Sequence, residues 1–202
     1  MNNLEKTHIL FPEYIECIYS GTRLKKINIS NNILNKNIFR FLDRGAYGLT
    51  YINYITNRLL KLIEILEWDT IETFQDEVEK QTIANYYDLA PKIYNHGIFK
   101  KIQTNINKKF YYIEMEYLSP QTGWINTQIS NKDLSNNIFK FVNMLINNAG
   151  MYNIEDPWVH IYYNINTNKI YMIDYGKVHY CNKYKSICKQ EMLNILGLGN
   201  YI

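Results

Sequence analysis

The chain of 202 residues has no window of eighteen uninterrupted apolar residues, so no membrane-spanning helix is expected. It also lacks an apolar run behind positive charge at its start, where Glu5, Pro12, Glu13 and Glu16 stand instead, so no secretory leader is expected. Cysteine is scarce. Cys17, Cys181 and Cys188 form an odd, widely separated set, which excludes a disulfide framework and predicts reduced thiols in an intracellular protein. His179, Cys181 and Cys188 fall short of the four closely spaced ligands of a structural zinc site, and no CxxC pair accompanies them. A basic stripe is missing too. The 22 basic and 19 acidic residues are intermixed, with clusters no longer than Lys100-Lys101 and Lys108-Lys109, so no specific nucleic-acid partner is expected. Neither an internal repeat nor a long linker interrupts the chain.

What is present suffices for a core. Hydrophobic residues make up 47%, charged residues 20% and aromatics 15%, enough to offset the entropy of ordering one compact unit or two small lobes. With 30 Ile, 27 Asn and 19 Tyr against 4 Ala, and 18 Lys among the 22 basic residues, the composition favours A/T-rich codons, as in large DNA viruses and some parasites. Asn-rich stretches are therefore poor markers of loops in this chain.

Periodicity predicts the order of elements. Residues 38–42, 49–54 and 59–63 read as three strands joined by the turns Asp43-Arg44-Gly45-Ala46-Tyr47-Gly48 and Thr56-Asn57-Arg58. A helix over 70–88 follows, rich in acid in its first turns and stopped by Ala90-Pro91. Strands are expected at about 92–100 and 110–117. Leu134, Ile138, Phe141, Val142 and Leu145 form the clearest helical stripe, closed by Gly150. A loop through Glu155-Asp156-Pro157 leads to two strands, 161–165 and 169–173, around the turn Asn166-Thr167-Asn168, then to Asp174-Tyr175-Gly176 and a last helix near 185–197.

Taken in order, these pieces resemble the protein kinase superfamily over about residues 38 to 180. The resemblance implies an α+β, two-lobed protein kinase-like fold with an antiparallel five-stranded N-lobe and a truncated C-lobe. Its parts are an N-terminal extension over 1–37, an N-lobe over 38–117 and a minimal C-lobe over 118–202. Gly45, Ala46, Tyr47 and Gly48 look like the loop that covers the phosphates of ATP. Lys61 is similar to the lysine that neutralises the α and β phosphates, held by a helical acid for which Glu77 fits better than Glu79 or Glu64. Ile113-Glu114-Met115-Glu116-Tyr117-Leu118 looks like the hinge, with Met115 at the back of the adenine pocket and backbone at Glu116 on offer to the base. Asp174 of Asp174-Tyr175-Gly176 is similar to the carboxylate that binds Mg²⁺.

The catalytic loop departs furthest from the family pattern. In Asn153-Ile154-Glu155-Asp156-Pro157-Trp158-Val159-His160, the acid is either Asp156 or Glu155; His160 has the family spacing from Glu155 and stands one residue early from Asp156, as metal-side partner. Asp156 is preferred, because Pro157 biases it to extended backbone that holds a side chain out from a loop. Asp43 occupies the position of the family's first loop glycine, and no Ala-Pro-Glu motif follows Gly176. Two functions are thus expected as alternatives: ATP- and Mg²⁺-dependent phosphoryl transfer to a protein Ser or Thr hydroxyl, or a catalytically dead pseudokinase, a decoy or scaffold that binds a partner kinase or another protein. Either would work in a cytoplasm, that of a host included, or in a virion.

Overall fold

The computed structural model describes residues 15–18, 24–27, 39–44, 48–53, 55–66, 70–103, 106–127, 134–155, 157–182 and 184–199. The expected loop residues Gly45, Ala46 and Tyr47 and the expected base Asp156 lie outside them. The protein is mixed α+β, and its residues divide into two compact units: one formed within 1–71 and 93–117, the other by 72–92 together with 118–202.

The first unit is an antiparallel sheet. Its strands are β1 (Ile15–Ile18), β2 (Leu24–Ile27), β3 (Phe39–Arg44), β4 (Gly48–Asn53), β5 (Arg58–Ile65), β6 (Ile93–Gln103) and β7 (Ile106–Glu116), in the order β2-β1-β6-β7-β5-β4-β3. The five strands β3 to β7 are the antiparallel five-stranded sheet expected from the sequence. Residues read there as an N-terminal extension add β1 and β2, with Ile15 opposite both Ile27 and Lys101. Leu62, Ile63, Tyr111 and Ile113 are buried in the middle of the sheet. Asn53 closes the β4–β5 turn locally, its Oδ1 accepting from the backbone N–H groups of Ile55 and Thr56, while Asn57 takes the left-handed conformation that Asn tolerates.

The second unit holds the four α-helices found among the described residues. In α1 (Ile71–Tyr86), Phe74, Glu77, Val78, Gln81 and Ala84 recur at three- and four-residue spacing and form its buried face. Its end is a left-handed turn at Asp88, φ 58°, with the Leu89 N–H reaching back to the Ala84 carbonyl at 3.0 Å. Three polar residues of the helix are buried, Glu77, Lys80 and Gln81, and Lys80 pairs with Asp76 one turn back. Gln81 Nε2 donates to the Pro91 carbonyl at 2.9 Å, which satisfies it within the turn.

Helix α2 (Ser135–Asn147) buries Ile138, Phe141, Val142, Leu145 and Ile146, the stripe legible in the sequence. Each such burial contributes about 1.5–3 kcal/mol before the entropy of ordering is set against it. These side chains form one core with Met151, Ile161, Met172, Tyr175, Val178, Cys188, Met192 and Leu193. The remaining elements are β8 (Trp124–Asn126), β9 (Met151–Tyr152), the short α3 (Pro157–His160), β10 (Ile161–Asn164), β11 (Ile170–Met172), β12 (His179–Tyr180) and α4 (Lys185–Ile195). Strands β11-β10-β8 form one sheet, and β12 pairs with β9 in a ladder of two residue pairs.

The cysteines correct an expectation. Cys181 and Cys188 are joined as a disulfide, with Cα atoms 6.3 Å apart, rather than kept as reduced thiols. Their separation of seven residues spans the step from β12 into α4, which turns the chain back on itself and brings the two Cα atoms within bridging range. No described helix is long and apolar enough to cross a membrane.

Candidate functional site

In the sheet unit, strand pairing sorts the expected nucleotide-side residues by face. Lys61 on β5 lies opposite Thr50 of β4 and Ile113 of β7. Its neighbours on the same face of β5, Leu59 and Ile63, lie opposite Met115 and Gly48 respectively. Because side chains alternate along a strand and directly opposite residues share a face, Gly48, Lys61, Ile113 and Met115 all belong to one face of the sheet. Glu116 lies opposite Arg58 and belongs to the other face. There Arg58 bonds Glu114 at 3.3 Å and stacks 3.9 Å from the centroid of the Tyr94 ring.

Gly48 also has a reason of its own to be glycine. A Cβ there would stand 2.3 Å from the Leu62 carbonyl oxygen, so the close approach of β4 to β5 excludes a side chain. Asp43 follows a bulge in the β3–β4 pairing, where the register shifts between Phe41 and Asp43, and its side chain is exposed.

In the helical unit, three chain segments converge. The loop after α1 hangs the Asp174-Tyr175-Gly176 segment from one carbonyl. Leu89 O accepts the Met172 N–H at 3.0 Å and the Tyr175 hydroxyl at 3.3 Å. Tyr175 is fully buried, which pushes its phenol well above the usual range, so the ring serves as neutral core filler with a polar anchor. Alongside, Asp88 accepts from Lys169 and from the Tyr171 hydroxyl.

This anchoring sets α1 against the segment, and Glu77 meets it. Only 6% exposed, Glu77 places Oε2 3.3 Å from where a Cβ on Gly176 would be, and Asp174 Oδ1 lies 3.9 Å from that same point. Asp174 itself is left-handed at φ 61°, ψ 65°, and starts a one-turn 3₁₀ helix, Tyr175–Lys177. Met172 pairs with Ile161, and one step further the Ile173 N–H donates to the His160 carbonyl at 2.9 Å, so the chain at His160 runs beside the residue that precedes Asp174. Glu77, Asp174, Gly176 and His160, all picked from sequence, are thus gathered within the second unit.

Two neighbours escaped the sequence reading. Asn153, 0% exposed, accepts the Glu155 N–H on Oδ1 at 2.8 Å, while its Nδ2 has no hydrogen-bond partner among the described residues. Lys177 Nζ bonds the Glu155 carboxylate. That hydrogen bond, then the lysine charge, holds the carboxylate below its usual range. Both could have been suspected: Asn two residues before a loop acid is an Asx-turn, and Lys177 directly follows Gly176. Glu155 is therefore exposed, ionised and ion-paired.

No protein-family model matches the chain, and no curated protein matches it in sequence. Among the described residues no group of three or more His, Cys, Asp and Glu could hold a metal ion. Asp174 offers one carboxylate beside Gly176, a donor type suited to Mg²⁺, which completes its shell with water and phosphate oxygens. His160 offers a nitrogen, a donor better suited to softer ions.

Proposed function

We propose that the protein transfers the γ-phosphoryl group of ATP to a Ser or Thr hydroxyl of a protein substrate, as a minimal member of the kinase-like class. The observation that carries this reading is the buried carboxylate of Glu77 set against Gly176 and Asp174. A helical acid and a metal-type acid, picked from separate parts of the sequence, share one small region. Mg²⁺ takes oxygen ligands, and a carboxylate such as that of Asp174 is the donor type it prefers.

Each residue has a role in this reading. Lys61 neutralises the α and β phosphates, and Glu77 is the helical acid that the resemblance pairs with that lysine. Gly45, Ala46, Tyr47 and Gly48 cover the phosphates, while Met115 and the backbone at Glu116 receive the base. Asp174, with His160 beside it, would hold Mg²⁺, which supplies charge neutralisation to the phosphates. Asp156 accepts the proton of the attacking hydroxyl as its oxygen bonds the γ-phosphorus; the bond from that phosphorus to the β-phosphate oxygen breaks, and ADP leaves.

A second reading, a phosphoryl-inactive module that binds a partner kinase or another protein, is favoured by two specific features. Glu155, which alone has the family spacing to His160, is already ion-paired to Lys177, and Asp43 adds negative charge where the resemblance places a glycine. A phosphotransfer assay with radiolabelled ATP and a mixed basic protein substrate separates the readings. Phosphoryl transfer that falls by orders of magnitude in Asp156→Ala and little in Glu155→Ala supports the proposed assignment. The reverse ranking moves the role of base to Glu155. Absence of transfer by the parent protein, with partner binding retained, supports the inactive module.

A further inference from the structure

We propose that the Cys181–Cys188 bond is a redox latch that locks the loop carrying Asn153 and Glu155 against the segment carrying Asp174 and Lys177. The inference rests on how the bond is placed and is independent of the phosphoryl-transfer reading.

Cys181 directly follows β12, and its backbone N–H donates to the Gly150 carbonyl at 2.8 Å, the residue just before β9. Between them, β9 and β12 contribute only the pairs Tyr152–His179 and Met151–Tyr180. A ladder of two pairs is marginal on its own. From its far end the chain runs on one side into Asn153 and Glu155 and, on the other, back to Lys177 and Gly176, joined by the Lys177–Glu155 ion pair. This exposed ion pair adds little holding power.

The partner cysteine is on firmer ground. Cys188 is fully buried on α4 and packs in the core with Met192 and Leu193. Lys185, in the first turn, also ties α4 to α2 by donating to the Asn147 carbonyl at 2.8 Å. Helix α4 thus stays seated with or without the bond, because a buried thiol packs as a small apolar group. The bond fastens a weak ladder to a strong anchor. Cutting it frees β12, whose His179 and Tyr180 are exposed, from β9, whose Met151 and Tyr152 stay buried in that core, so the effect is confined to the contact between the two segments.

The chemistry balances with a dithiol as reductant. Its thiolate attacks Cys181 Sγ, the more exposed of the two sulfurs. The Cys181–Cys188 S–S bond breaks, a mixed disulfide forms on Cys181, and Cys188 takes a proton to become a thiol. The second thiol of the reductant displaces Cys181. Two electrons and two protons have then passed to the protein, and the reductant leaves as a cyclic disulfide.

Hydrogen exchange read by mass spectrometry on the full chain, air-oxidised and after dithiothreitol, tests the latch without any nucleotide. Alkylation under denaturing conditions first counts thiols, and two more should be modified after reduction. Reduction should then speed exchange of amides in 150–155 and 177–182 by about tenfold or more, with the amides of α2 unchanged. Cys181→Ser should show the fast exchange with and without reductant. Equal thiol counts in the two samples would overturn the proposal. So would equal exchange in both states, which would make the bond a passive staple, or a loss of protection throughout α2, which would make it a support of the whole unit.

Discussion

Alanine at position 48 separates two reasons for a glycine. Gly48 does not have a positive φ, so its backbone is open to other residues. On backbone grounds alone, Gly→Ala would stabilise the protein by about 0.4–1 kcal/mol, through loss of freedom in the unfolded chain. The structure reverses that sign. The added Cβ would come within 2.3 Å of the Leu62 carbonyl oxygen and 3.3 Å of Ile63 Cγ1, and the nearer of these is backbone that cannot rotate away. Strand β4 must therefore lift from β5 by about 1 Å, a distortion of the kind that costs about 1–3 kcal/mol. The net effect is a loss of about 1–2 kcal/mol, or about 2–8 °C in thermal midpoint for a chain of this size. Circular dichroism melts of parent and Gly48→Ala, with no ligand added, measure it. An unchanged or higher midpoint would refute the packing argument. If that outcome came with weakened ATP binding, Gly48 would be required by the phosphates alone.

Two pH-dependent predictions follow from single side chains. His96, half-buried and 2.8 Å from the Tyr111 hydroxyl, has its pKa lowered from 6.5 by desolvation. The unfolded chain takes up the proton first, so stability should fall as pH drops below 6.5 and level off below the folded value. Denaturant titrations between pH 7.5 and 5 should show a smaller fall in His96→Gln. For Asp88, partial burial alone would raise the pKa, but the hydrogen bonds from Lys169 and Tyr171 and the lysine charge outweigh it and bring the value below 3.8. This contribution is present above the unfolded value and is lost as pH falls through the folded one. Asp88→Asn should therefore be less stable than the parent at pH 7 and equal to it in strong acid; a constant difference across that range would contradict the pairing.

The parts of the fold with a long period were legible in the sequence. The α2 stripe repeats over more than two turns, and the β3 to β7 strands are runs of five residues or more, rich in apolar and aromatic side chains, between turn residues, so both rise above the compositional bias. Strands β1 and β2 did not, because four-residue runs rich in Ile are common in this chain and carry no pattern of their own. The β9–β12 ladder is only two pairs long and is fixed by what surrounds it, as is the disulfide at its end. Within the candidate site, Glu77 and Asp174 were picked because the kinase resemblance calls for an acid at each of those places. Asn153 and Lys177 act through geometry that folding creates: one by the Glu155 N–H, the other by the Glu155 carboxylate.

Binding of ATP through Mg²⁺ is the core of the proposed function, and a thermal-shift titration of ATP with and without Mg²⁺ is its sharpest test. At a concentration a hundred times the dissociation constant, binding stabilises the folded state by about 2.7 kcal/mol, which is about 5–10 °C here. That shift is expected in the parent only when Mg²⁺ is present, and is expected to be lost in both Asp174→Asn and Lys61→Met. No shift at millimolar ATP, or an equal shift in parent and Asp174→Asn, would contradict it.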